Sequence, residues 1–206
     1  MLDAPSITRI HDAANQEWHR SPSTQDEPLQ TLEQIIRAQH QANFSLWHEE
    51  DKARDPEATD PQIATVKRSI DRLNQRRNDL MERIDTTLLA HFHAALTDHP
   101  NSRLHSETPG MMIDRLSILS LKIFHTEEET QRTTATEEHR QRNRERLQLL
   151  QEQRSDLARA LDTLFEDITH GRTRFKLYRQ MKMYNDPDLN PAIYGKQSGK
   201  LASKSK

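Results

Sequence analysis

IATVKRSIDRLNQRRNDLMERIDTTL, residues 63 to 88, is the stretch that decides the fold. Ile63, Val66, Ile70, Leu73, Leu80, Ile84 and Leu88 step by three and four, the spacing of one buried helix face. Arg77 occupies the single gap in that series. Beside the seam runs a second line at the same spacing: Lys67, Asp71, Asn74, Asn78, Met81 and Asp85. An ordinary amphipathic helix keeps its charges on the far side, whereas here charges and amides stand where a neighbouring helix packs. Buried polar groups are costly unless paired, so the pattern predicts a polar site inside a helical bundle.

Composition agrees with long amphipathic helices. The 206 residues are 33% apolar and 30% charged, with four glycines and no cysteine. So few glycines argue against a glycine-rich phosphate loop and against a sheet with many tight turns. Lack of cysteine excludes disulfides, thiolate catalysis and thiolate metal sites. No apolar run reaches the ~18 residues of a membrane span, and the first residues show no signal-peptide pattern. A cytoplasmic location is expected. The net charge is -2, and four lysines with no acid lie in the last twelve residues, so the rest is more acidic still. Such a domain is not expected to bind nucleic acid. The tail from 196 to 206 reads as disordered.

Punctuation divides the rest. A short helix is expected from Ser6 to Trp18, followed by the linker SPSTQDEP, so that residues 1–27 form a helix and linker before a single domain at 28–195. Pro28 suits the first turn of a helix to about Arg54. Asp60 and Pro61 read as cap and first residue of the next helix, which runs to about Thr97. Thr108-Pro109 repeats that signal before a very apolar helix that passes His125. Thr134 with Glu137 reads as a capping box, opening a helix to His170 that Gly171 stops. Its seam is Leu147, Leu150, Arg154, Leu157, Leu161, Leu164 and Ile168, and Arg154 fills a seam position as Arg77 does. Each arginine either snorkels to water or reaches an internal carboxylate or an anionic ligand. YNDPDLNPAIY, residues 184–194, is neither regular helix nor central strand and reads as a segment wrapped across the bundle. The expected fold class is all-α: four main helices, a short N-terminal helix and a C-terminal wrapping loop.

Polar residues cluster on three of these helices. Ile36, His40, Asn43, Trp47, Glu50, Asp51 and Arg54 fall within about 100° of arc on one, with His48 to the side. Lys67, Asp71, Asn74, Arg77, Asn78 and Asp85 lie on the next. On the apolar helix Asp114, Arg115, Lys122 and His125 converge opposite the face of Met112, Ile113, Leu116 and Leu119. Anion binding would use Arg54, Lys67, Arg77, Arg115 and Lys122 with Asn43, Asn74 and Asn78. Acid–base chemistry would use His48 or His125 beside a carboxylate. Metal binding could draw on His48, Glu50, Asp51, Asp71, Asp85, Asp114 and His125, although no HExxH or paired ExxH spacing is present. Against all of these stands a purely structural network that fixes helix register. Two Trp-His dipeptides, Trp18-His19 and Trp47-His48, also stand out.

NFSLWHEEDKAR (43–54), KRSIDRLNQRRNDLMERID (67–85), ETPGMMIDRLSILSLKIFH (107–125) and KMYNDPDLNPAIY (182–194) resemble a bacterial family catalogued as domain of unknown function 4254. The resemblance covers most of residues 30–195 and carries no assigned mechanism. It implies a cell-envelope glycan context and a sugar-nucleotide or phosphosugar ligand. A partial likeness to the all-α nucleotide pyrophosphatases rests on Glu82 and Asp85 as ExxD. Glu49-Glu50 begins an EExxE, but Ala53 stands where its third acid would be.

The expected function is therefore a pocket that binds or processes an anionic phosphosugar or nucleotide sugar. Arg54, Arg77, Arg115 and Lys122 would hold the anion, and Asn43, Trp47, Lys67, Asp71, Asn74, Asn78, His125, Tyr184, Asn185 and Asp186 would complete the binding site. His48 with Asp51 or Asp114 are the acid–base candidates, and Glu50 with Asp85 the candidates for a divalent metal. Two alternatives remain open: an accessory protein that docks on a glycosyltransferase, and a metal-dependent nucleotide pyrophosphatase-like enzyme. The long seams permit a homodimer.

Overall fold

The computed structural model describes residues 3–21, 29–179, 181 and 188–191. It is an all-α bundle of α1 (Ala4–Arg20), α2 (Leu32–Lys52), α3 (Asp60–His91), the short α4 (His93–Asp98), α5 (Pro109–Gln131) and α6 (Glu137–Thr169). Two-residue strands, β1 (Arg103–Leu104) and β2 (Thr173–Arg174), pair in parallel and tie the α4–α5 connection to the chain after α6. Among the described residues no helix is long and apolar enough to cross a membrane.

Four of the helices, α1, α2, α5 and α6, start where a side chain satisfies a first free N–H group. Asp3 accepts from Ser6 N, Thr31 closes a capping box with Gln34, Thr108 accepts from Met111 N, and Thr136 accepts from His139 N. The Thr136 cap replaces the expected box at Thr134, and Thr59 rather than Asp60 caps α3. The expected start of α2 at Pro28 lies outside the described residues, and the helix itself begins at Leu32. Gly171 ends α6 at φ 70°, with Arg172 N bonded to Asp167 O and Gly171 N to Ile168 O. That is the paired bond pattern of a left-handed C-terminal cap. The expected continuous helix to Thr97 instead breaks at Phe92 between α3 and α4.

The later parts of the seams read from sequence form the core, while Ile63, Val66, Leu73, Leu147 and Leu150 are half-buried. Ile70, Leu80, Ile84 and Leu88 of α3 and Leu157, Leu161, Leu164 and Ile168 of α6 are buried, together with Met112, Ile113 and Leu116 of α5. α2 packs along α3 and α5 along α6, while α1 lies against α5, α2 and α6. Ala4, Ile7, Ala14 and Trp18 are buried in the same core, and Ala4 N donates to Asp162 Oδ1 of α6 at 2.8 Å. The N-terminal helix is thus a fifth member of the bundle rather than a segment ahead of it. This places α1 side chains inside, among the polar residues of α2 and α5.

Candidate functional site

Asp114 is the hub of the interior. The α5 helix carries it between α2 and α3, where it accepts from four nitrogens. Gln39 Nε2 donates to Oδ1 at 2.5 Å, Asn43 Nδ2 at 3.0 Å and Arg77 Nε at 2.7 Å, and Arg77 Nη2 donates to Oδ2. The Asp114 side chain is 6% exposed and that of Arg77 27%. The hydrogen bond to Asp114 holds the Arg77 guanidinium above its ordinary pKa, against the effect of burial. Arg77 therefore fills its seam gap by pairing with an internal carboxylate, one of the two roles the sequence left open.

From Asn43 a line of hydrogen bonds crosses the bundle. Asn43 Nδ2 also donates to Ser117 Oγ at 2.9 Å. His40 is fully buried, and burial, with a smaller effect from the neighbouring His11, pushes its pKa well below the usual range. The neutral ring then accepts from the Ser117 hydroxyl at Nδ1 (2.7 Å) and donates from Nε2 to Asn15 Oδ1 (2.9 Å). Asn15 Nδ2 donates to Ser120 Oγ (2.9 Å), and Ser120 donates to Asp12 Oδ1 (2.7 Å). Arg154 Nη1 meets both Asp12 oxygens, at 2.8 and 2.9 Å. Every donor between Asn43 and Asp12 points the same way, so each bond polarises the next.

Beside Asp114 an open pocket of about 400 Å³ lies between α2, α3 and α5. Asn43, Leu46, Trp47, Glu50, Asp51 and Arg54 line it from α2, Asn74 and Arg77 from α3, and Ile118 and Leu121 from α5. Six of the expected ligand or acid–base residues thus share one cavity: Asn43, Trp47, Asp51, Arg54, Asn74 and Arg77. Glu50, expected at a metal, is also there, paired to Arg54 at 3.0 Å.

The other candidates are distributed differently. Lys67 and Asp71 pair with each other on the exposed face of α3. Asn78 is half-buried on that helix. Arg115 pairs with Glu107 at 2.5 Å and, with Lys122, lines a separate groove of about 660 Å³ between α5 and α6. The wedge expected on α5 is therefore split: Asp114 faces α3, Arg115 and Lys122 face α6, and His125 meets α1 and α2. Residues 114 and 115 sit about 100° apart on a helix, enough to serve different neighbours.

Asp85 is a joint between helices. It accepts from Thr108 Oγ1 at 2.5 Å and from Gly110 N at 2.7 Å, with one oxygen for each. Burial pushes its carboxyl up to about 6, although both hydrogen bonds favour the ionised form. It secures the start of α5 to α3 with both of its oxygens and does not line the pocket that holds Glu50, so the structure does not bring the two expected metal candidates together there. Asp114 accepts from all four of these donors and so positions Arg77, Gln39 and Asn43. Tyr184, Asn185 and Asp186, and most of the wrapping segment and the basic tail, lie outside the described residues.

Two further groupings are not expected from the sequence. Asp12, Asn15, Gln39, Ser117 and Ser120 complete the buried line, and His11 lies against it, its ring 4.7 Å from that of His40. Neither nitrogen of His11 has a partner, and burial, then the charge of Arg154, pushes its pKa down to about 3. His19 joins His48 and His125: one ring nitrogen from each lies within 4.8 Å of the other two. The two Trp-His dipeptides were the signal. They bring His19 and His48 together, while Trp47 stacks on His125 and Trp18 on His40.

Comparison with known proteins returns one family, described as "Protein of unknown function (DUF4254)", whose profile matches residues 33–177. No curated protein and no solved structure matches the chain.

Proposed function

The chain belongs to the DUF4254 family, and we propose, from the site's own chemistry, that it binds a phosphosugar or nucleotide sugar in the pocket between α2, α3 and α5. The observation that carries this reading is the double position of Arg77, which is pinned through two nitrogens by buried Asp114 and is also a wall of the pocket. A guanidinium held this way loses little freedom on meeting an anion. Trp47 offers an aromatic surface for a sugar ring or base, and Asn43, Asn74 and Asp51 offer partners for hydroxyl groups. Glu50 pairs with Arg54 and Asp114 with Arg77, so the pocket holds little free positive charge, which favours a hydroxyl-rich ligand of low charge over a bare polyanion. The cell-envelope glycan setting implied by the family resemblance fits that class. Arg115 and Lys122, in the other groove, take no part.

Thermal shift of the purified protein against sugar phosphates, nucleotide sugars and their parent nucleotides tests the reading. A ligand at ~100 times its dissociation constant adds about 2.7 kcal/mol. Asn74→Ala should keep the fold and lose the response, while Arg115→Ala should keep both. No response to any of these compounds, or a response that survives Asn74→Ala and Trp47→Ala, would favour the accessory role on a glycosyltransferase.

A further inference from the structure

We infer that His19, His48 and His125 form a three-histidine site for a borderline divalent transition metal of the zinc class, with a fourth position open to water or a ligand. The three rings come from α1, α2 and α5, and one nitrogen of each lies within 4.8 Å of the others. Around zinc, with Zn–N near ~2.0–2.1 Å, tetrahedral ligands stand about 3.4 Å apart. Small rotations of half-buried rings cover that difference.

Hydrogen bonds already orient two of the rings for metal binding. His19 Nδ1 donates to the Asn15 carbonyl at 2.7 Å, and His125 Nδ1 donates to Glu128 Oε2 at 2.9 Å. In both rings the lone pair is therefore left on Nε2, and both Nε2 atoms are buried without a partner. Metal-bound histidines characteristically give their second N–H to a carbonyl or carboxylate, which fixes tautomer and ring orientation. Two inward-facing lone pairs with no donor are otherwise an unexplained cost.

Aromatic packing supports the rings. Phe124 stacks on His19 with centroids 4.2 Å apart, Trp47 stacks on His125 at 4.8 Å, and Phe44 meets His19 and His48 edge-on at 4.8 and 4.5 Å. Such support is what a site needs to keep its ligands in place. Three imidazoles without thiolate or carboxylate in the inner shell suit zinc, copper, nickel or cobalt and disfavour magnesium or calcium. None of the three histidines lines the Arg77 pocket; Trp47 lines that pocket and stacks on His125. The inference therefore does not depend on the sugar ligand.

The test is Co²⁺ and Zn²⁺ binding to the full chain, free of any affinity tag and stripped with chelator. One equivalent of Co²⁺ should give the intense visible bands of a tetrahedral site, and Zn²⁺ should displace it. His19→Ala and His125→Ala should each abolish stoichiometric uptake. Glu128→Gln should weaken it roughly 10–100-fold, and His93→Ala, on α4, should leave it unchanged. Circular dichroism shows which variants fold; if His19→Ala does not, His48→Ala at the half-buried edge decides. No stoichiometric uptake by the wild type, or uptake retained in a folded ligand variant, overturns the site.

Discussion

Arg77 and Arg154, which interrupt the apolar seams of the two longest helices, sit at opposite ends of one buried line of hydrogen bonds. The line links α3, α5, α2, α1 and α6, so five helix–helix interfaces share one polar register. A one-turn slip of any of these helices would strand several buried donors and acceptors at once. The two arginines end the line in different settings. Asp114 is 6% exposed, while Asp12, the partner of Arg154, is 42% exposed.

Removing the carboxylate at the buried end should be costly. Asp114→Ala leaves Arg77, Gln39 and Asn43 without their acceptor, and such truncations of buried pairs cost about 3–5 kcal/mol. Urea denaturation should place the variant at the lower end of that range, because Arg77 can turn toward water. A double-mutant cycle with Arg77→Ala should recover part of the loss as coupling. A loss below about 1 kcal/mol would mean the hub is not a structural element.

The same truncation at the exposed end should matter less. Asp12→Ala breaks the Arg154 pair and the Ser120 bond, but water can replace both. The expected cost is about 1 kcal/mol. An equal loss in Asp12→Ala and Asp114→Ala would contradict the difference in burial.

Acid should weaken the fold through its buried histidines. His11 and His40 have depressed native pKa values, about 3 for His11. Their contribution is full above the unfolded value near 6.5 and is lost as pH falls from there toward the folded value. Each ring removes up to about 1.4 kcal/mol per pH unit. Asp85 acts oppositely, since its native carboxyl is raised to about 6. Its contribution is full below about 3.8 and is lost as pH rises through about 6, so it cancels one ring within that window. His11→Leu, which also deletes two unpartnered nitrogens, should raise stability and flatten the profile between pH 6 and 4. An unchanged slope in stability measured across that range would show that His11 is protonated in the native state.

Gly110 should tolerate no side chain. A Cβ there would lie 2.7 Å from the Met81 carbonyl oxygen and 2.8 Å from Cγ and Oδ1 of Asp85. The first of these is backbone, so α5 must move away from α3 and lose the Gly110–Asp85 bond. Gly110→Ala should cost about 1–3 kcal/mol, even though alanine favours helices elsewhere. A melting temperature equal to that of the wild type would show that the two helices are not in such close contact.

Residues 63–88 alone were enough for a bundle, because a three-and-four repeat of apolar side chains can be buried along only one face of a helix. Thr108, Gly171 and the prolines marked boundaries to within a few residues, since caps and stops are settled by local backbone chemistry. The wall of the pocket was legible for the same reason: Asn43, Trp47, Asp51 and Arg54 share a helix face whatever that helix packs against. Only the tertiary structure decided which polar residues meet. Helical spacing gives a residue's angle about its own axis but not the direction of the neighbouring helix. Asp114 and Arg115, adjacent in sequence, thus face α3 and α6, and His19 of α1 comes beside His48 and His125. That last meeting depends on where Ile7, Ala14 and Trp18 bury against the rest of the bundle, which is a balance of contacts made far apart along the chain.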